Sequence, residues 1–216
     1  MQSKFELPRF YPILDTEMLS RRTFEPEFVA DLLLEAGAGI MQYRHKGLLT
    51  EARWQEASRI AARCRSAGAL FVMNDRADAA GTLQAGIHLG QDDLPVSAAR
   101  KLLGDALVIG LSTHNEHQLL LADEMPVDYL AFGPIFPTGS KRNPDPVVGL
   151  AGLRQIRSLT QKPLVAIGGI ATNNVKEVLH SGADSVALIS ALLPEHPGDV
   201  AGLQVRIEMW MQAVNE

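Results

Sequence analysis

LVAIGGIATNNVKEVLHSGADSVALIS, residues 164–190, decides the fold. Its two ends, LVAIGG at 164–169 and SVALIS at 185–190, are short apolar runs without polar alternation, the pattern of strands covered on both faces. Between them, Asn173 to Ser181 places apolar residues three and four apart and reads as an amphipathic helix. Two such strands on either side of a helix ask for a parallel sheet with helices packed outside it.

The same alternation runs outward along the whole chain. FYPIL at 10–14, IMQYR at 40–44, LFVMND at 70–75, GIHLG at 86–90, LVIGLS at 107–112 and DYLAFG at 128–133 are further strand-like runs. Pro26 to Ala36, Glu51 to Ala67 and Pro95 to Leu103 carry helical periodicity. Gly37 and Gly68 follow helical runs as C-terminal caps, and Thr50 precedes EARW as an N-cap. About eight strand–helix repeats in 216 residues fit a single-domain (β/α)8 TIM barrel over 1–216, with its active site at the C-terminal ends of the strands. An open doubly wound sheet uses the same alternation and is the rival architecture.

Composition narrows the class of function. At 46% hydrophobic and 21% charged residues the chain is an ordinary globular one, and disorder and collagen are excluded. A formal charge of −5 supplies no basic field for a nucleic-acid backbone, so no nucleic-acid partner is expected. A single cysteine, Cys64, excludes an internal disulfide and a multi-thiolate metal site, and its surroundings read as packing on a helix face. Lys4, Glu6, Arg9 and Asp15 interrupt the first residues, and no run of about 18 apolar residues exists, so neither a signal peptide nor a membrane partner is expected and the location is cytoplasmic.

In a parallel α/β fold the binding face lies where the strands finish. Gln42, Arg44 and Lys46 alternate at the end of the second run and share one side, with Arg44 a fork and Lys46 a point charge for an anionic substrate; two solvated surface charges are the bland alternative. Asp75 and Asp93 end the third and fourth runs, and two carboxylates completed by water and substrate oxygens suit Mg²⁺. The alternative is that Asp75, and Asp92 or Asp93, cap the helices that follow. The loop GPIFPTGSKRNPDP at 133–146 brings Thr138, Ser140 and Lys141 to the same rim, unless its prolines serve only to stiffen a connector. Gly168 and Gly169 end the seventh run, where a close backbone approach to a phosphate is expected, although the pair also suits a tight turn. His114 and His117 lack a third ligand for zinc, His88 reads as a hydrogen-bonded barrel residue, and Trp54, Trp210 and the methionines read as packing.

Taken in order, MQYRHKG at 41–47, ND at 74–75, GIHLGQDDLP at 86–95, GLSTH at 110–114, GPIFPTGSK at 133–141, AIGGI at 166–170 and ALIS at 187–190 closely resemble the thiamine-phosphate synthase family, whose relatives include the thiazole tautomerase. The resemblance spans about Tyr11 to Ser190. It implies a (β/α)8 transferase of thiamine biosynthesis with Mg²⁺ as cofactor. The reaction implied joins 4-amino-2-methyl-5-hydroxymethylpyrimidine diphosphate to 4-methyl-5-(2-phosphooxyethyl)thiazole, giving thiamine phosphate and diphosphate. By the resemblance Gln42, Tyr43, Arg44, His45, Lys46 and Asn74 hold the pyrimidine diphosphate, Asp75 and Asp93 are the magnesium ligands, and Ser112 touches the diphosphate. Lys141 matches the lysine that reaches the pyrimidine substrate. Arg44, Lys46 and Lys141 stabilise the departing charge, while Thr138, Gly139, Ser140, Gly169, Ile189 and Ser190 cradle the thiazole phosphate. Diphosphate leaves first and the thiazole nitrogen attacks the resulting methylene cation, so no nucleophilic side chain is required. The partners implied are these two small molecules, with room for a homodimer.

His45 stands where the family commonly has an acidic residue, and Ser140 where a second threonine is usual. These departures bear on how the first substrate is tuned, not on the reaction class. The tautomerase uses a histidine that resembles His114 but needs no diphosphate site, and retention of Arg44, Lys46, Asp75, Asp93 and Lys141 favours the synthase. A silent sensor of thiazole or thiamine phosphates would bind without turnover.

Overall fold

The computed structural model describes residues 6–139 and 145–216. Eight strands run in chain order around the sheet: β1 Phe10–Asp15, β2 Ile40–Arg44, β3 Leu70–Asn74, β4 Gly86–Leu89, β5 Ile109–Thr113, β6 Tyr129–Phe132, β7 Leu164–Ile167 and β8 Ser185–Leu188. Every neighbouring pair is parallel, and β1 pairs with both β2 and β8, so the barrel closes. Closure excludes the open doubly wound sheet.

The helices between them are α1 Thr16–Arg21, α2 Pro26–Glu35, α3 Glu51–Ser66, α4 Ala77–Leu83, α5 Val96–Leu103, α6 Glu116–Asp123, α7 Gly149–Leu159, α8 Val175–His180 and α9 Val200–Asn215. Their ends are set by local chemistry. Thr50 accepts a hydrogen bond from the Arg53 N–H at the start of α3, and Gly37 and Gly68 follow α2 and α3 with φ of +89° and +73°, a conformation that suits a residue without Cβ. Asp15, the last residue of β1, turns the chain into α1 by accepting the Met18 N–H at 2.9 Å.

Strand alternation divides the apolar side chains into two cores. Residues such as Leu14, Met41, Met73, Ile87 and Leu130 face outward and pack under the helices together with Val29, Ile60, Leu153 and Trp210. Tyr11, Ile13, Ile40, Val72, Tyr129, Ala131, Val165 and Ala187 fill the barrel itself. The interior is therefore packed rather than open, and binding is displaced to the mouth.

Two equivalent staples close the opposite end. Asp128, just before β6, accepts the Ile109 N–H of β5 and pairs with Arg100; Asp184, just before β8, accepts the Leu164 N–H of β7 and pairs with Arg157. Each carboxylate satisfies a strand's first N–H, which would otherwise lack a ladder partner. No helix among the described residues is long and apolar enough to cross a membrane.

Candidate functional site

The ends of β1 to β4 gather opposite charges. Arg44 ends β2 and pairs with the Asp15 carboxylate on β1, and Lys46 reaches across to Asp75 just after β3. Asp75 lies beside Asp93, which follows β4 and accepts the Gly90 N–H at 2.7 Å. Burial, and then the neighbouring Asp93 carboxylate, push Asp75 above the usual carboxylate range, against the pull of Lys46. Asp75 also has φ of +63°, and the Arg76 N–H bonds back to the Asn74 carbonyl at 2.8 Å, so the carboxylate stands at the tip of a tight turn that a side chain rarely adopts. Neither acid caps the helix that follows. The start of α4 has no side-chain cap, and α5 begins after Pro95.

Two hard carboxylates side by side, each held by its own loop, fit a divalent cation that takes its remaining oxygens from water and substrate. Among the described residues no group of three His, Cys, Asp or Glu side chains gathers to form a closed protein cage, and His114 with His117 forms no zinc site. Asn74, at the end of β3, is buried, and its Nδ2 has no hydrogen-bond partner. A donor left this way costs about 1–3 kcal/mol, which an acceptor on a ligand would offset.

The ends of β5 to β8 enclose a cavity of about 290 Å³ lined by Ser112, His114, Thr138, Gly139, Asp145, Gly168, Gly169, Ile189 and Ser190, among others. Its floor exists because the chain after β6 lies directly on the end of β7. The Ile135 and Phe136 N–H groups donate to the carbonyls of Ile167 and Gly168, each at 3.0 Å. A Cβ on Gly169 would sit 2.5 Å from the Pro137 carbonyl oxygen, and its φ is +65°. Glycine is thus demanded at this point by both space and backbone. His114 Nδ1 lies 2.7 Å from the Gly133 carbonyl and 3.6 Å from Asp145.

Most of the residues expected from sequence therefore lie on one rim, in two groups: Gln42, Arg44, Lys46, Asn74, Asp75 and Asp93 after the first four strands, and Ser112, Thr138, Gly139, Gly169, Ile189 and Ser190 around the cavity. His45 is tied into its loop, with Nδ1 2.8 Å from the Thr16 hydroxyl and Nε2 3.1 Å from the Leu48 carbonyl. Since Nε2 must donate to that carbonyl, Nδ1 accepts from Thr16. Tyr43 stands apart: fully buried in the outer core, it donates to Glu56 on α3 at 2.6 Å, because its place between the inward-facing Gln42 and Arg44 turns it to the helix side. Ser140 and Lys141 lie outside the described residues. Cys64 is buried, with its thiol pushed up to about 12 by burial, and belongs to packing. Sequence reasoning gave no role to Asp15, the partner of Arg44, nor to Tyr11 and Tyr129 inside the barrel; apolar strand patterning hides a tyrosine hydroxyl, and only closure brings β1 opposite β6.

A closed parallel barrel with paired cations and carboxylates on one side of its mouth and a glycine-floored cavity on the other defines a (β/α)8 enzyme of anionic substrates. The family model described as thiamine monophosphate synthase matches residues 10–192, and the chain belongs to that family. A thiamine-phosphate synthase of Koribacter versatilis is 45% identical over 89% of this chain and 92% of its own length, and one of Methanosarcina barkeri is 40% identical over 85% and 82%. Among solved structures, the thiamine phosphate pyrophosphorylase from Pyrococcus furiosus is 32% identical with a TM-score of 0.81, covering 96% of this chain and 95% of that one. The expected class, a synthase of thiamine biosynthesis, agrees with these relatives.

Proposed function

We propose that this chain couples 4-amino-2-methyl-5-hydroxymethylpyrimidine diphosphate to 4-methyl-5-(2-phosphooxyethyl)thiazole, releasing diphosphate and forming thiamine phosphate in the cytoplasm. The observation that carries the reading is the two-part rim: a charged cluster suited to a diphosphate stands beside a cavity suited to a second, phosphorylated substrate.

In this reading the diphosphate lies against Arg44 and Lys46, and the pyrimidine extends over Gln42 and Asn74. Bound Mg²⁺, held by Asp75 and Asp93, would neutralise the diphosphate and make it a better leaving group. Lys46, whose ammonium is paired with Asp75 in the free protein, turns to the departing oxygens, and Arg44 offers a second cationic contact. The bond between the methylene carbon and the diphosphate oxygen breaks with its electron pair leaving on oxygen, and the thiazole nitrogen supplies the pair for the new carbon–nitrogen bond. No proton has to move, and no side-chain nucleophile takes part. The protein's work is to hold the thiazole through its phosphate at Gly169 and Ser190 so that its nitrogen faces the methylene carbon.

The test mixes purified protein with both substrates and Mg²⁺ and follows thiamine phosphate by mass spectrometry, with and without EDTA. Chelator-sensitive product is expected. Folded protein that forms none contradicts the reading, and interconversion of thiazole carboxylate phosphate isomers in its place would favour the tautomerase.

A further inference from the structure

Polar side chains in line cross the lumen of the barrel just beneath the mouth. Gln42 Nε2 on β2 donates to the Tyr11 hydroxyl on β1 at 2.9 Å, and that hydroxyl meets the Tyr129 hydroxyl on β6 at 2.8 Å. Tyr129 in turn lies 2.9 Å from His88 Nδ1 on β4, and His88 Nε2 lies 2.8 Å from Ser112 Oγ on β5. The two imidazole contacts and the ring stack between His88 and Tyr129, with centroids 5.5 Å apart, hold the histidine plane in place. Gly110 makes room for this arrangement, since a Cβ there would fall 2.0 Å from the Tyr129 ring.

The hydrogens in this line can run in one direction only. Burial pushes the Tyr11 phenol up to about 12 and Tyr129 well above its ordinary value, so both keep their hydrogens at neutral pH. Tyr11 already accepts from Gln42, and Tyr129 is its other partner, so the Tyr11 hydrogen goes to Tyr129. Tyr129 then donates to His88 Nδ1, which places the imidazole proton on Nε2, and Nε2–H donates to Ser112 Oγ. At one end the Gln42 amide turns its Oε1 away from Tyr11, and among the described residues this oxygen has no hydrogen-bond partner. At the other end Ser112 Oγ has accepted, and its own hydrogen is left to donate into the cavity it lines.

We propose that Tyr11, Tyr129 and His88 are positioning residues whose one-way chain of hydrogen bonds presents Gln42 as an acceptor and Ser112 as a donor at the barrel mouth, selecting an aminopyrimidine over its oxo counterpart. The inference rests on the synthase reading for the identity of the ring. An exocyclic amino group donates to Gln42 Oε1, whereas a carbonyl at the same ring position would set acceptor against acceptor and leave both unsatisfied. Tyr11, Tyr129 and His88 act through Gln42 and Ser112.

Tyr129→Phe removes one oxygen and keeps the buried ring. The Tyr11 hydrogen then has only the Gln42 amide to turn to, so the amide rotates and offers Nε2 to the mouth. Calorimetric dissociation constants for the 4-amino and 4-oxo pyrimidine diphosphates, measured with Mg²⁺, should show the preference for the amino ring reduced at least tenfold in Tyr129→Phe. Tyr11→Phe should weaken it less, because the amide is then released rather than reversed. Nitrogen-15 spectra of histidine-labelled wild-type protein, with His88 assigned by comparison with His88→Asn, should show the proton on Nε2; Tyr11→Phe should keep that tautomer and Tyr129→Phe should lose it. A wild-type His88 protonated on Nδ1, or an unchanged amino-to-oxo ratio in Tyr129→Phe, overturns the inference. Tight binding of the aminopyrimidine without product formation would sink the synthase reading and leave this one standing.

Discussion

Asp75 shows how closely conformation and charge are tied in this site. Its φ of +63° and the neighbouring Asp93 carboxylate both work against the fold, at a cost of about 1–3 kcal/mol for the backbone alone. Asp75→Gly should therefore raise the thermal unfolding midpoint while reducing coupling at least a hundredfold; a lower midpoint would show that the turn is not strained. Asp93→Ala should slow coupling strongly and weaken its Mg²⁺ dependence with the barrel still folded, and normal Mg²⁺-dependent activity in that variant would remove the metal assignment. Tyr43 gives the opposite case. Because its hydroxyl serves Glu56, Tyr43→Phe should lose about 1 kcal/mol of stability in denaturant unfolding, with kcat/KM changed by less than about threefold. The sequence made the acids and cations legible because they stand at strand ends, where the topology directs side chains to the mouth. It concealed the role of Tyr43, since a motif records adjacency along the chain while a strand sends adjacent residues to opposite faces.

Among the elements, the strands were the easiest to read. All eight apolar runs became strands, with differences of a residue or two where a run continues past its ladder, as LVIGLS does before Ile109. Short helices were harder. The six residues of α1 were not anticipated, because that helix depends on Asp15 as its cap rather than on an apolar stripe. The connection after β6 shows what spacing cannot reveal: it is anchored on β7 at Ile135 and Phe136, and returns through the Val148 and Gly149 N–H groups to the carbonyls of Pro134 and Ile135. At the far end of the barrel, Asp184→Ala would leave the Leu164 N–H and Arg157 without their shared carboxylate. A loss of about 2 kcal/mol with unchanged KM for both substrates is expected from unfolding and steady-state measurements. A shift in KM would mean that this end of the barrel communicates with the mouth.

For the whole molecule, closure does two things that no single element does. It fills the lumen with Tyr11, Tyr129 and their neighbours, which confines ligands to the rim, and it sets the charged ends of β1 to β4 against the glycine-floored cavity of β5 to β8. The architecture was legible from alternation alone, whereas the pairing of Arg44 with Asp15 and of Lys46 with Asp75 follows from strand order in space. The central claim is that the two halves take different substrates. It is tested most directly by the KM of each substrate in Asp93→Ala and Gly169→Ala. Asp93→Ala should raise KM for the pyrimidine diphosphate about tenfold or more, equivalent to about 1.4 kcal/mol, and leave that for the thiazole phosphate within about twofold; Gly169→Ala should do the reverse. Both variants raising the same KM would contradict the account.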